Sequence, residues 1–130
     1  MWILSFTEMW PKLANPMCST VRPHSHWKAG QTVQVYYRNR GPNRKALGIA
    51  DIVSVETVVL NAIFIEHGRL LTDAEARDDG FADLKGMAAW MYRTYHDKFS
   101  PVMDKLTLRW RIQCLPQYLP AILLPQRWLP

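Results

Sequence analysis

Asp51 is the residue whose placement asks most for a chemical explanation. It lies in a β-rich run from Ala46 to Leu60. On a period-two strand it shares a face with Ile49, Val53 and Val55, which should point into the core. A carboxylate there must be paired, hydrogen-bonded or protonated, because an unpaired buried charge is too costly. One reading is a pKa-shifted acid or base at the floor of a cleft; the other is a strand-end group paired with a cation at the rim. The second feature is the cationic stretch Arg22, Lys28, Arg38, Arg40, Arg44 and Lys45, interleaved with Trp27, Tyr36 and Tyr37. No acid occurs between Glu8 and Asp51. Cations neutralise phosphates and planar rings stack on unpaired bases, so RNA, single-stranded nucleic acid or a nucleotide suits this stretch. The competing reading is a solvated basic face that pairs with the chain's own acidic helices.

His24-Ser25-His26, with Cys18 nearby, could contribute to a transition-metal site, but a full site needs three or four ligands. Cys114 and His67 are too remote to assign, so these read as loop histidines and no metal or cofactor is expected. No P-loop, dinucleotide-binding glycine pattern, serine-nucleophile elbow or H-E-x-x-H occurs, which removes most large enzyme classes.

The chain of 130 residues suffices for one core, and 48% apolar with 21% charged residues is ordinary globular composition. The net charge of +5 conceals an asymmetry. Residues 1–50 hold all but one of their charges as cations, residues 51–104 are acidic in balance, and residues 105–130 carry no acid. That excludes a uniformly basic coat and predicts a bipolar molecule. Two cysteines, Cys18 and Cys114, make no disulfide framework and read as buried thiols of a reducing compartment. The N-terminal MWILSFTEMW lacks a basic n-region, and the C-terminal apolar stretch is broken by Pro116, Pro120, Pro125 and Pro130. The expectation is a soluble cytoplasmic protein with no membrane partner (host cytoplasm, for a viral source).

The elements that must position these residues follow from pattern. Trp2–Phe6 reads as a strand. Thr7 N-caps a short helix with Pro11 in its first turn, running to about Ala14 and stopped by Asn15-Pro16. Met17–Arg22 is extended, and Gly30 supplies a tight turn. Thr32–Arg38 alternates with Val33, Val35 and Tyr37 inward. Residues 39–45 form a turn-rich loop, and Asn61–Glu66 extends the β-rich run, with a further strand expected there. Asp73–Arg77 is a capped short helix ended by Gly80. Asp83 starts a second helix with an apolar stripe of Leu84, Met87, Ala88, Met91 and Tyr95. Lys105–Gln113 closes as a strand with Leu106, Leu108, Trp110 and Ile112 inward. The class is α+β, a small β-barrel with flanking helices.

The order Ser19-Thr20-Val21-Arg22, a short loop into Trp27-Lys28-Ala29-Gly30-Gln31, then the strand Thr32–Arg38 resembles the ASCH domain, the activating-signal-cointegrator homology family. Gly48-Ile49-Ala50-Asp51-Ile52 is similar to its second strand, and Asp79-Gly80-Phe81 to its D-G-F element. Gln31 stands where the family's glycine turn usually has aspartate. The resemblance covers about residues 2–113 and implies a PUA-like fold over 1–113, followed by a proline-rich tail at 114–130. It also implies RNA or nucleotide recognition. Small bacterial members hydrolyse N-acetylated cytidine through a K-x-x-T-x-R pattern and a later carboxylate. Thr20 and Arg22 match that pattern, Asp51 falls at the carboxylate position, and Met17 occupies the lysine position.

The leading expectation is therefore an ASCH/PUA-like module binding RNA or a nucleotide. Thr20, Arg22 and Asp51 would line its cleft, Arg38, Arg40, Arg44 and Lys28 would contact phosphates, and Trp27 or Tyr36 would stack a base. The hydrolytic alternative uses Thr20 as nucleophile or water-positioning group, Asp51 as base and Lys28 in place of the missing lysine. A third alternative, a protein-binding adaptor, rests on the tail with Tyr118, Trp128 and Leu129, which could equally pack on its own domain or on a twin subunit in a homodimer.

Overall fold

A computed structural model of the protein describes residues 2–6 and 11–114. Among them six strands build one sheet: β1 (Trp2–Phe6), β2 (Met17–Pro23), β3 (Thr32–Tyr37), β4 (Lys45–Val59), β5 (Arg69–Leu70) and β6 (Val102–Gln113). The order is β1-β3-β4-β6-β2, with β5 beside β4. β1 pairs parallel with β3, and β4 pairs antiparallel with both β3 and β6. Two helices, α1 (Asp73–Asp78) and α2 (Leu84–Tyr95), flank the sheet, which curls into a half-barrel; the architecture is α+β. The Thr7 cap and the proline-rich tail with its dimer contact lie outside the described residues. No helix among the described residues is long and apolar enough to cross a membrane.

The curl originates in β4. Its ladder shifts register once against β3 and twice against β6, and each such irregularity bends a strand and increases its twist. Gly48 lies in the strongly bent part at φ 143°, where a Cβ would meet the Ile112 carbonyl oxygen at 2.0 Å. Only glycine lets β4 approach β6 so closely there. The shifts also decide which residues face inward. Leu47, Ala50 and Ile52 are buried, whereas Val53 is exposed and Asp51 points away from the core. By Val55 the chain has turned again, and that side chain packs on the core. The inward face expected from strict alternation is therefore the outer one around Asp51, because one extra residue in a ladder flips every side chain beyond it.

Two apolar clusters fill the interior. One joins β1, β3, β4 and β6 through Leu4, Phe6, Val33, Val35, Ile52, Leu106 and Leu108, closed by Leu13 of a 3-10 turn at Pro11–Ala14. The other packs Met87 and Met91 of α2 and Ala76 of α1 onto Val21, Val58 and Met103. Thr72 and Glu75 form a capping box at α1, and the Asp83 side chain accepts from Gly86 N–H at α2. Several local expectations differ. Ala62–His67 is a 3-10 helix with Asn61 as cap, since Asn61 Oδ1 takes the Ile63 N–H and turns the chain. β3 stops at Tyr37, and Arg38 enters positive φ (49°). β6 starts at Val102 and carries Ile112 out beyond the core, 56% exposed.

Candidate ligand-binding cavity

β2 is an outer strand of the sheet, and Thr20 and Arg22, two residues apart, share one of its faces. Both line a cavity of about 190 Å³. Ser5 and Phe6 enter it from β1, the other outer strand, so the cavity lies where the two edges of the curled sheet approach. α2 covers it with Trp90, Met91 and Tyr95, and the α1–α2 connection adds Asp79 and Phe81. The 3-10 turn before β2 contributes Lys12. Phe6 belongs to the first apolar cluster and Met91 to the second, which puts the cavity at the seam between them.

Arg22 Nε donates to Thr20 Oγ1 at 3.2 Å, and the guanidinium stands 4.6 Å from the centre of the Phe6 ring. Burial pulls the Arg22 pKa down, with Tyr95 and Asp79 acting the other way. Arg22 forms no ion pair with any described residue. Its Nη groups make no hydrogen bond to one either. A partly buried guanidinium whose Nη donors are unused by described residues, lining a cavity, is complementary to an anionic or carbonyl-rich planar group. Across the cavity Lys12 Nζ lies 3.1 Å from Asp79 Oδ1, with the two side chains 10% and 4% exposed. Ser19 Oγ donates to the same carboxylate oxygen at 3.1 Å. Burial lowers the Lys12 pKa, which the Asp79 charge and hydrogen bond only partly oppose. Burial also pushes the neighbouring Cys18 thiol up to about 11.

Of the residues singled out in the sequence, Thr20 and Arg22 meet in this cavity and Asp51 does not. Asp51 pairs in register with Thr32 at the start of β3, whereas Phe6 pairs with Tyr37 at the strand's far end. Its carboxylate accepts from Arg111 Nε at 2.7 Å and from Thr32 Oγ1 at 2.9 Å. Those two hydrogen bonds, Arg111 first, hold it below the usual carboxylate range. Lys28 is exposed in the β2–β3 loop and lines no part of the cavity. Trp27 packs on the first cluster and against His26, which itself stacks on Trp2 at 4.0 Å. Tyr36 is covered by the Arg44 guanidinium at 4.2 Å. Arg38 and Arg40 are exposed in the β3–β4 hairpin. That hairpin is rooted on the cavity wall: Arg38 N–H donates to the Phe6 carbonyl and Asn39 N–H to Ser5 Oγ. His24 is taken up by Asp104 at 2.9 Å, and among the described residues no three His, Cys, Asp or Glu side chains gather as metal ligands.

Sequence reasoning missed Lys12, Asp79 and the aromatic cover from α2. Lys12 and Asp79 are far apart in the chain, so no local spacing announces their contact. The available signal was the D-G-F element, whose aspartate and phenylalanine both enter the cavity.

No family model matches the sequence, and comparison with curated proteins gives no match. A crystal structure of protein EF3133 from Enterococcus faecalis, of family DUF984, is similar over 85% of this chain and 78% of that one. The sequence identity is 12% and the TM-score 0.46.

Proposed function

We propose that the chain is an ASCH-type, PUA-like module that binds RNA or a nucleotide, with one unpaired base seated in the cavity. The observation that carries this reading is Arg22, a partly buried guanidinium that lines the cavity with its Nη donors unused by described residues. Base carbonyls and ring nitrogens accept from such a fork, and Phe6, Phe81, Trp90 and Tyr95 provide flat apolar walls. The volume of about 190 Å³ is below the ~300 Å³ at which pockets for whole small molecules begin, so a single ring system is the natural occupant. Arg38, Arg40 and Arg44 sit on or beside a hairpin rooted at the same wall, which supports a role for them in contacting flanking phosphates.

Titration with labelled RNA, single-stranded DNA and nucleotides at two salt concentrations tests it. The expected result is binding that weakens steeply with salt and falls by about tenfold or more in Arg22→Leu, the range for a charge-assisted hydrogen bond. Salt-independent binding, or none across the panel, overturns the reading.

A hydrolytic second reading is favoured by one observation: a desolvated Lys12 amine shares the cavity with Thr20 and Asp79. Lys12, and not Lys28, would then stand in for the lysine that Met17 replaces. Acetylated nucleosides incubated with the wild type, Lys12→Met and Thr20→Val decide it, since equal background turnover in all three removes catalysis.

A further inference from the structure

β1 and β2 are the two outer strands of the sheet and do not pair with each other. Side chains meet across the gap at two places instead. The Arg22 guanidinium of β2 stands over the Phe6 ring of β1 at 4.6 Å, beside the cavity. Trp2 lies four residues back along β1 from Phe6, and His26 lies four residues on from Arg22. Their rings stack, with centroids 4.0 Å apart and planes 24° from parallel. The two edges therefore face each other in antiparallel sense, with the cavity at one contact and an aromatic pair at the other.

That pair is the outer end of a ladder of rings. Trp27 packs on the first apolar cluster, His26 lies against Trp27 at 4.4 Å, and Trp2 lies on His26. His26 is exposed and Trp2 is 48% exposed. Among the described residues Trp2 meets no second ring. An indole held from behind and open in front is a platform on which an unpaired base stacks. The local charge suits a phosphate backbone. Lys28, two residues beyond His26, is exposed and has no ion-pair partner among the described residues. His24 lies between Arg22 and His26, its imidazole 72% exposed and its Nδ1 held by Asp104, which leaves Nε2 for a ligand.

We propose that Trp2 is a second base-stacking site, and that the ligand is a single strand of nucleic acid laid along the gap between β1 and β2. This rests on the base-binding reading of the cavity. One base sits beside Phe6 and Arg22, and another, further along the strand, stacks on the open face of Trp2. Four residues of β-strand span about 13 Å. About four stacked nucleotides at ~3.4 Å each cover that length, and fewer do so when the strand is extended. A free mononucleotide is too short to reach both places.

Affinities of the full chain for nucleoside monophosphates and for a random-sequence hexanucleotide, made as RNA and as DNA, test this at one salt concentration. The better hexanucleotide should bind at least about tenfold tighter than any monophosphate, and it names the sugar. Trp2→Leu should weaken the hexanucleotide by about fivefold or more, the low end for one base–aromatic stack, and Trp2→Phe by less. Both variants should hold monophosphate affinity within about twofold of wild type, which also reports that the cavity is intact. The His26 ring protons should shift in the NMR spectrum with the hexanucleotide and not with a monophosphate. A hexanucleotide no tighter than a monophosphate, a length gain that survives Trp2→Leu, or an equal loss on both ligands overturns the stacking site and leaves base binding in the cavity standing. Absence of binding by every ligand overturns both.

Discussion

Lys12 and Asp79 form an ion pair, 3.1 Å apart, that is almost shut off from solvent and lines the cavity. Their partners are unequal. Asp79 also receives the Ser19 hydroxyl, whereas Lys12 loses more to burial than Asp79 returns. Removing one member strands the other's charge in a dry site, at a cost of about 3 kcal/mol or more. Asp79→Ala should therefore lower the urea-unfolding free energy by about that amount, while the double variant Lys12→Met, Asp79→Leu should recover most of it. A single-variant loss under about 1 kcal/mol would show the pair to be as solvated as a surface pair.

Gly48 supports a sharper expectation about the fold. A methyl at this position meets the Ile112 carbonyl oxygen at 2.0 Å, and φ of 143° disfavours any L side chain. Gly48→Ala should cost at least about 2 kcal/mol, since positive-φ strain and a backbone clash add. Gly30→Ala, with φ 92° but open space around it, should cost less, leaving strain alone. Chemical denaturation of both variants checks the order.

What could be read from the sequence divides along the same physical lines. Short-range patterns held: the alternation of Val33 and Val35, the capped short helix at Asp73–Arg77 and the apolar stripe of Met87 and Met91 all depend on neighbours within four residues. Thr20 and Arg22 lie together, because i and i+2 share a strand face whatever the strand packs against. Asp51 did not face inward, since ladder shifts in β4 have no signature in hydrophobic alternation and change its phase. Lys12 meeting Asp79 depends on the curl of the whole sheet, which no local window contains.

Asp51 should then be separable from the cavity. Its carboxylate is committed to Arg111 and Thr32 on the outer face near the start of β3. Asp51→Ala should leave affinity for the ligand that Arg22→Leu weakens within about twofold of wild type, a difference of under about 0.5 kcal/mol. A loss as large as that of Arg22→Leu, measured in the same titration, would place Asp51 in the site after all.

His24 gives the molecule a pH dependence of predictable sign. Its Nδ1 contacts Asp104 Oδ1 at 2.9 Å, and Ser25 N–H reaches the other oxygen at 3.4 Å. Asp104 is buried, while the imidazole is mostly in solvent. The hydrogen bond to Asp104, then its charge, raises His24 above its ordinary 6.5. A group whose pKa is raised on folding contributes its full stability below its unfolded value and loses it as pH climbs through the folded one. The urea midpoint of the wild type should therefore fall as pH rises above 6.5, and His24→Gln should flatten that part of the slope. An NMR titration should place the His24 midpoint above 6.5, and a midpoint at or below it would mean that Asp104 is satisfied without the imidazolium.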